Sequence, residues 1–219
     1  MLRIGIADDH QLIRKSLSML IQTFEGVSVV LQAENGTSLI KQLEDIEIDL
    51  LLLDIQMPGM DGFEVCKHLK KHNPEIKILI VSHLTTKESI HRVMECGAHG
   101  YFTKNSDPLQ LEHAIRSIRE KDFYFGHDLG FVIREAILWE KNSRAMQKQV
   151  SVSFTSRELE IISMAFSELS SYEIAERLFI NVRTVETHRK RIMDKTGSKN
   201  FIGVIVFALR HGHISLDEI

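Results

Sequence analysis

The sequence predicts an α/β domain over residues 1–121, built on a five-stranded doubly wound parallel sheet, and an all-α domain over residues 151–219. Three observations predict this. Apolar runs at 2–7, 27–33, 50–53, 77–81 and 100–102 alternate with helical stretches. The third and fourth runs are nearly continuous in Leu, Ile and Val, as strands buried on both faces require. Beyond residue 151 only helical periodicity remains. Repeated strand–helix units give a parallel sheet, and such sheets place their sites beyond the carboxyl ends of the strands.

In the first domain, Leu12, Leu17, Leu20 and Ile21 mark one helix. Phe63, Val65, Cys66 and Leu69 mark another, ended by Asn73-Pro74. Ile90, Val93 and Met94 mark a third, and Leu109, Leu111, Ala114, Ile115 and Ile118 the last. The last is opened by Asn105-Ser106-Asp107-Pro108, a start signal. Residues 122–150 read as an interdomain helix around 132–139 and a polar linker. In the second domain, Thr155 and Glu158 have the spacing of a capping box. A short helix follows at about 172–178, then a longer one from after Asn181 to near Gly197, then a last one at about 201–211.

The chain has 219 residues, 43% apolar and 26% charged, which suits two small globular domains. No stretch approaches the roughly 18 apolar residues of a membrane span. The opening MLRIGIADDH lacks signal-peptide character. The expected location is the cytoplasm, and no membrane partner is expected. Cys66 and Cys96 show no CxxC or metal-ligand spacing and read as core or near-surface thiols. The net charge of −3 lies in residues 1–121, while residues 151–219 carry nine basic and nine acidic groups. Within the latter, Arg189, Lys190, Arg191, Lys195 and Lys199 stand against Asp194 alone between 188 and 199, a local positive stripe.

Asp8, Asp9, Asp54, Ser82 and Lys104 all fall at predicted strand ends, so the fold gathers them. Three carboxylates there repel unless a cation neutralises them. An all-oxygen set suits Mg²⁺. A carboxylate beside that ion is a nucleophile toward phosphorus, with Lys104 stabilising charge on the transferred oxygens. Singly, Asp9 also fits a helix cap, Ser82 a turn residue and Lys104 a surface charge; their convergence is what points to chemistry.

These residues carry a resemblance. Asp8-Asp9, the run Asp54-Ile55-Gln56-Met57-Pro58-Gly59-Met60-Asp61-Gly62, Ser82, and Gly97 through Lys104 resemble the receiver domain of two-component response regulators. The resemblance implies that Asp54 is the phosphoacceptor and that a sensor histidine kinase is the donor. It also implies that Asp8, Asp9, Asp54 and the Gln56 carbonyl hold Mg²⁺. Ser82 and Tyr101 then take switch positions, with Tyr101 turning into space vacated when Ser82 is drawn toward the phosphoryl group. An aspartyl phosphatase is the enzymatic alternative, but Gln56 and Pro58 leave it without a general acid. The expectation is therefore a regulator and not an enzyme.

Residues 154–212 resemble the LuxR-type helix-turn-helix of the NarL/FixJ class, through Phe154-Thr155-Ser156-Arg157-Glu158, the segment 170–178, the segment 181–188 and Ile192 through Gly197. Val185, Ile192 and Thr196 lie on one face of the candidate recognition helix and should pack inward. Arg183, Glu186, Thr187, Lys190 and Arg191 then face the DNA, joined by Tyr172 and Lys195. Taken alone, Arg189-Lys190-Arg191 also reads as a solvated helix face. Glu168 replaces a usual glycine, and Tyr172 a usual basic or small polar residue. The resemblance implies a transcription regulator that binds a two-part DNA site as a homodimer. A phosphorelay adaptor, whose second domain touches only protein, is the other reading.

Overall fold

A computed structural model describes residues 1–83, 92–93, 96–124, 152–167 and 169–215. The interdomain helix and linker expected within 125–150, Ile90 and Met94 of the third expected helix, and Glu168 lie outside the described residues. Arg92, Val93 and Cys96 are helical.

The first domain runs β1 (Leu2–Ala7), α1 (Gln11–Ile21), β2 (Val27–Ala33), α2 (Gly36–Gln42), β3 (Leu50–Leu53), α3 (Gly62–His72), β4 (Lys77–Ser82), β5 (Gly100–Thr103) and α4 (Leu109–Lys121). The strands form one parallel sheet in the order β2-β1-β3-β4-β5. The expected doubly wound sheet is thus present, with every strand run recovered to within a residue or two. Helix α2 is the element the periodicity does not mark. It is seven residues long and opens Gly-Thr-Ser, so it carries little propensity. Its start is instead set by Asn35, whose side chain accepts from Ser38 N at 2.8 Å.

Leu50–Leu53 are all buried, alternating between the two faces of the sheet. Leu51 and Leu53 meet Leu39 of α2 and Val65, Cys66 and Leu69 of α3. Leu50 and Leu52 meet Ile21 of α1 and Leu111, Ala114, Ile115 and Ile118 of α4. Each such side chain contributes about 1.5–3 kcal/mol on burial, which is why a four-residue strand can anchor the sheet. Gly62 closes the segment after β3, where a Cβ would lie 2.4 Å from the Asp54 carbonyl oxygen. Only glycine lets α3 begin that close to the end of β3.

The second domain is α5 (Ser156–Phe166), α6 (Ser171–Leu178), α7 (Val182–Thr196) and α8 (Phe201–Arg210). Thr155 and Glu158 form the expected capping box, and Ser170 with Glu173 forms a second. Asn181 caps α7, and Gly197 ends it in the left-handed region at φ 66°. Val185 and Ile192 are fully buried and Thr196 partly so, as the periodicity predicts.

The two domains touch. Phe123, just past α4, stacks on Phe201 of α8 with ring centroids 6.3 Å apart. Asn200 donates from its side-chain amide to the Ala98 carbonyl. Arg189 of α7 is 3% exposed. Its guanidinium lies 4.4 Å from the Phe201 ring centroid and donates to the Ser171 hydroxyl at 2.8 Å and the Lys121 carbonyl at 2.9 Å. The reading of Arg189 as part of a solvated stripe is therefore corrected: tertiary contact removes it from the surface, while Lys190, Arg191, Lys195 and Lys199 remain exposed.

His99 bridges β4 and β5. Its backbone N–H donates to Ile78 at 2.7 Å, and its ring Nδ1 accepts from Ile78 N at 2.9 Å. Burial, helped by the charge of Lys70, lowers its pKa from 6.5 to about 3. Between these values the unfolded chain binds a proton that the folded one refuses, so the group's contribution is complete above pH 6.5 and is lost as pH falls toward 3. Urea denaturation should show this as a loss of up to about 1.4 kcal/mol per pH unit below 6.5. A His99→Gln protein should lack that component, and an unchanged slope would remove His99 as its source.

Candidate functional site

The acidic residues lie where the strand order reverses, between β1 and β3. Ala7 pairs with Leu53, so the next residues, Asp8 and Asp54, leave the sheet side by side. Asp54 N donates to the Ala7 carbonyl at 2.8 Å and holds that alignment. Both carboxylates are almost wholly buried, while Asp9 is exposed. Lys104, one residue beyond β5, reaches across with Nζ 2.5 Å from Asp54 Oδ2 and 2.7 Å from Asp8 Oδ2. Burial opposes its charge, but the bonds to Asp54 and Asp8 outweigh that and hold its pKa above the ordinary lysine value.

Asp9 does not cap α1: the residue before the helix is His10, with no side-chain cap, and it is Asp8 Oδ1 that accepts from His10 N at 2.8 Å. That leaves Asp9 available to the crevice. Ligand atoms of Asp8, Asp9, His10 and Asp54 all lie within 4.8 Å of one another. His10 is the member that sequence reasoning passed over, although it directly follows the acidic pair; its Nδ1 is 2.7 Å from Asp9. Three carboxylates, two of them buried, fit a hard divalent cation that retains some of its waters. Gln56 is exposed, and its N–H points to Asp54 Oδ1 at 3.3 Å.

Ser82 is fully buried at the end of β4. Tyr101 is 5% exposed, and its hydroxyl donates to the Ser82 carbonyl at 3.3 Å. Burial and the Asp54 charge push its pKa up to about 12. The ring packs inward, in the apolar cluster behind β4 and β5.

On α7, Arg183, Glu186, Thr187, Lys190 and Arg191 are all exposed, on the side away from the buried Val185 and Ile192. Thr187 donates its hydroxyl to the Arg183 carbonyl at 2.8 Å. Tyr172 is 62% exposed on α6. Lys195 bonds Glu158 at 2.7 Å, a buried carboxylate of the α5 capping box. The structure gives it a structural task, unlike the other cations named for DNA. Among the described residues, no helix is long and apolar enough to cross a membrane.

A buried acidic crevice at the switch point of a parallel sheet, docked on a helix-turn-helix with an open basic face, defines a signalling switch joined to a DNA reader. The response regulator receiver domain family matches residues 4–116, and the luxR family of bacterial regulatory proteins matches residues 152–208. The oxygen regulatory protein NreC of Staphylococcus aureus is 32% identical over 95% of this chain and 97% of its own. The transcriptional regulatory protein YxjL of Bacillus subtilis is 30% identical over 96% of both. RcsB of Salmonella enterica, solved bound to promoter rprA, shares the fold with a TM-score of 0.57 at 22% identity, over 93% of this chain and 96% of that one. The chain belongs to the two-component response regulators of the NarL/FixJ class, a receiver domain followed by a LuxR-type DNA-binding domain. This is a family of DNA-binding transcription regulators and not of enzymes.

Removing Lys104 leaves two buried carboxylates facing each other. Lys104→Met should cost about 3–5 kcal/mol in denaturation at neutral pH with chelator present. Added Mg²⁺ should restore part of the loss. Wild-type stability in chelator would mean that the Lys104 bridge does not hold the crevice together.

Proposed function

We propose that Asp54 is the phosphoacceptor of this regulator and that its phosphorylation by a sensor histidine kinase controls DNA binding by the second domain. The observation that carries this is the burial of Asp54 beside Asp8 with the Lys104 ammonium 2.5 Å away. An Asp54 oxygen attacks phosphorus as the P–N bond to the kinase histidine breaks and the departing imidazole nitrogen takes its electron pair, while Lys104 stabilises the charge on the transferred oxygens. Asp8, Asp9, Asp54 and the Gln56 carbonyl would hold Mg²⁺. When bound, that ion screens the carboxylates and the incoming phosphoryl oxygens. Ser82 supplies a hydroxyl to the phosphoryl group.

Movement at Ser82 reaches Tyr101 through their hydrogen bond. Tyr101 lies on β5, three residues from Ala98, whose carbonyl accepts from Asn200 of the second domain. This two-state coupling between acceptor and reader rests on differential contacts at Ala98, Lys121 and Arg189. We place the receiver at 1–121, the linker at 122–150 and the DNA-binding domain at 151–219.

For DNA, Thr187 and Lys190 reach base edges. Arg183, Arg191 and Tyr172 bind phosphates, and Glu186 accepts from a cytosine amine. Lys195 adds affinity only if it exchanges Glu158 for a phosphate. The protein works in the cytoplasm and binds a two-part site as a homodimer.

Two measurements test the assignments. With a small phosphodonor and Mg²⁺, intact mass should rise by one phosphoryl group in the wild type and stay constant in Asp54→Asn; equal labelling would end the assignment. Lys190→Ala should weaken binding by about 1–3 kcal/mol at fixed salt. Unchanged affinity would take Lys190 off the interface.

A further inference from the structure

Helix α3 carries two histidines one turn apart at its C-terminal end, His68 and His72. Positions i and i+4 of a helix share a face, so both rings leave it on the same side. The rings stack with centroids 4.2 Å apart and planes inclined by 29°. His72 is exposed and His68 half-buried. His72 Nδ1 lies 3.0 Å from the His68 carbonyl oxygen. A carbonyl only accepts, so Nδ1 carries the ring proton and Nε2 keeps a bare lone pair. This is the bond by which metal-binding histidines are commonly oriented, one ring nitrogen held by a carbonyl and the other left for the metal.

We propose that His68 and His72 form a two-imidazole site for a divalent transition-metal ion, with Cu²⁺ and Ni²⁺ preferred to Zn²⁺. An ion about 2.0–2.1 Å from each donor nitrogen lies in line with both rings. If the two bonds meet at a right angle, as in square or octahedral complexes, the centroids stand about 4.6 Å apart; at the tetrahedral angle of zinc they stand about 5.3 Å apart. The observed 4.2 Å is closer to the first arrangement. A small rotation of either ring supplies the difference. His211 and His213, the other neighbouring pair in the second domain, do not fit: their centroids are 6.4 Å apart and their rings pack on Phe207 and Phe154.

The site is separate from the acidic crevice. Helix α3 begins beside Asp54, and His72 closes it after about 15 Å of helix. The local charge also selects the ion. Lys67, Lys70 and Lys71 surround the pair and weaken the binding of any cation, while the helix C-terminus opposes them with partial negative charge. Nitrogen donors in that setting favour metals that bond strongly to imidazole, and not Mg²⁺, which requires oxygen. His72 borders a cleft of about 600 Å³, which leaves room for water on the ion's remaining positions. An ion that bridges two residues one turn apart needs that turn folded, so binding stabilises the native chain.

The test uses the full chain in a non-coordinating buffer with excess Mg²⁺, which competes for the crevice. NiCl₂ is titrated into the wild type and into a His68→Ala, His72→Ala double variant. Both positions are helical and alanine favours a helix more than histidine, so the variant keeps its fold. The wild type should bind one more Ni²⁺ per chain than the double variant. Either single variant should bind that ion about 100-fold more weakly, because the second imidazole no longer acts at high effective concentration. Ni²⁺ should also raise the wild-type Tm by more than that of the double variant. A His211→Ala, His213→Ala protein should bind as the wild type does. Equal Ni²⁺ stoichiometry in wild type and double variant overturns the site. So does wild-type affinity in either single variant. A site that holds Zn²⁺ more tightly than Cu²⁺ overturns the proposed preference.

Discussion

The bridge from Lys104 to Asp8 and Asp54 is the contact on which the first domain's chemistry depends. Two carboxylates buried at 2% and 3% exposure would repel and draw protons if left alone. A third strand end supplies the cation. That demands four strands in register, β1 beside β3 and β5 beyond β4, because Lys104 N bonds to the Ser82 carbonyl and Asp54 N to the Ala7 carbonyl. The apolar runs of β3 and β4 hold that register by burying both faces of the sheet. The hydrophobic core thus fixes the charges to within a bond length, and the charges are useful only because it does.

The same sheet carries information away from the crevice. Tyr101 sits on the strand that ends at Lys104 and meets the carbonyl of Ser82. At the other end of that strand lie His99 and Ala98, and Ala98 bonds the second domain. One four-residue strand therefore links the acidic site to the reader. Arg189 completes the junction. A buried guanidinium is costly unless its donors are used, and here it has the Ser171 hydroxyl, the Lys121 carbonyl and two aromatic faces. It points to the receiver from one flank of α7 while Lys190 and Arg191 remain exposed on others, so docking leaves the candidate reading face open.

Much of this was legible from local signals. Capping pairs such as Thr155 with Glu158, and terminators such as Gly197, act within one turn, so their spacing alone places helix ends. Period-two and continuous apolar runs likewise expose strands. Helix α2 escaped because its start rests on one side-chain bond from Asn35 and its residues have weak propensity. His10 escaped because a histidine after two acids has no distinctive periodicity. Arg189 was misread as a surface cation for a different reason: helical position tells which way a side chain points, and not what another element brings to meet it.

Asp54 shows where the division falls. The sequence by itself determined that it ends a buried strand, that Asp8, Asp9, Ser82 and Lys104 end others, and that the family is one of regulators, because strand patterns and motif order are written along the chain. Only the tertiary structure decided that Lys104 bonds Asp54 and Asp8 together, that Tyr101 packs inward against the receiver core and that Arg189 belongs to a domain junction. Those facts depend on distances between segments far apart in sequence, and packing alone sets such distances.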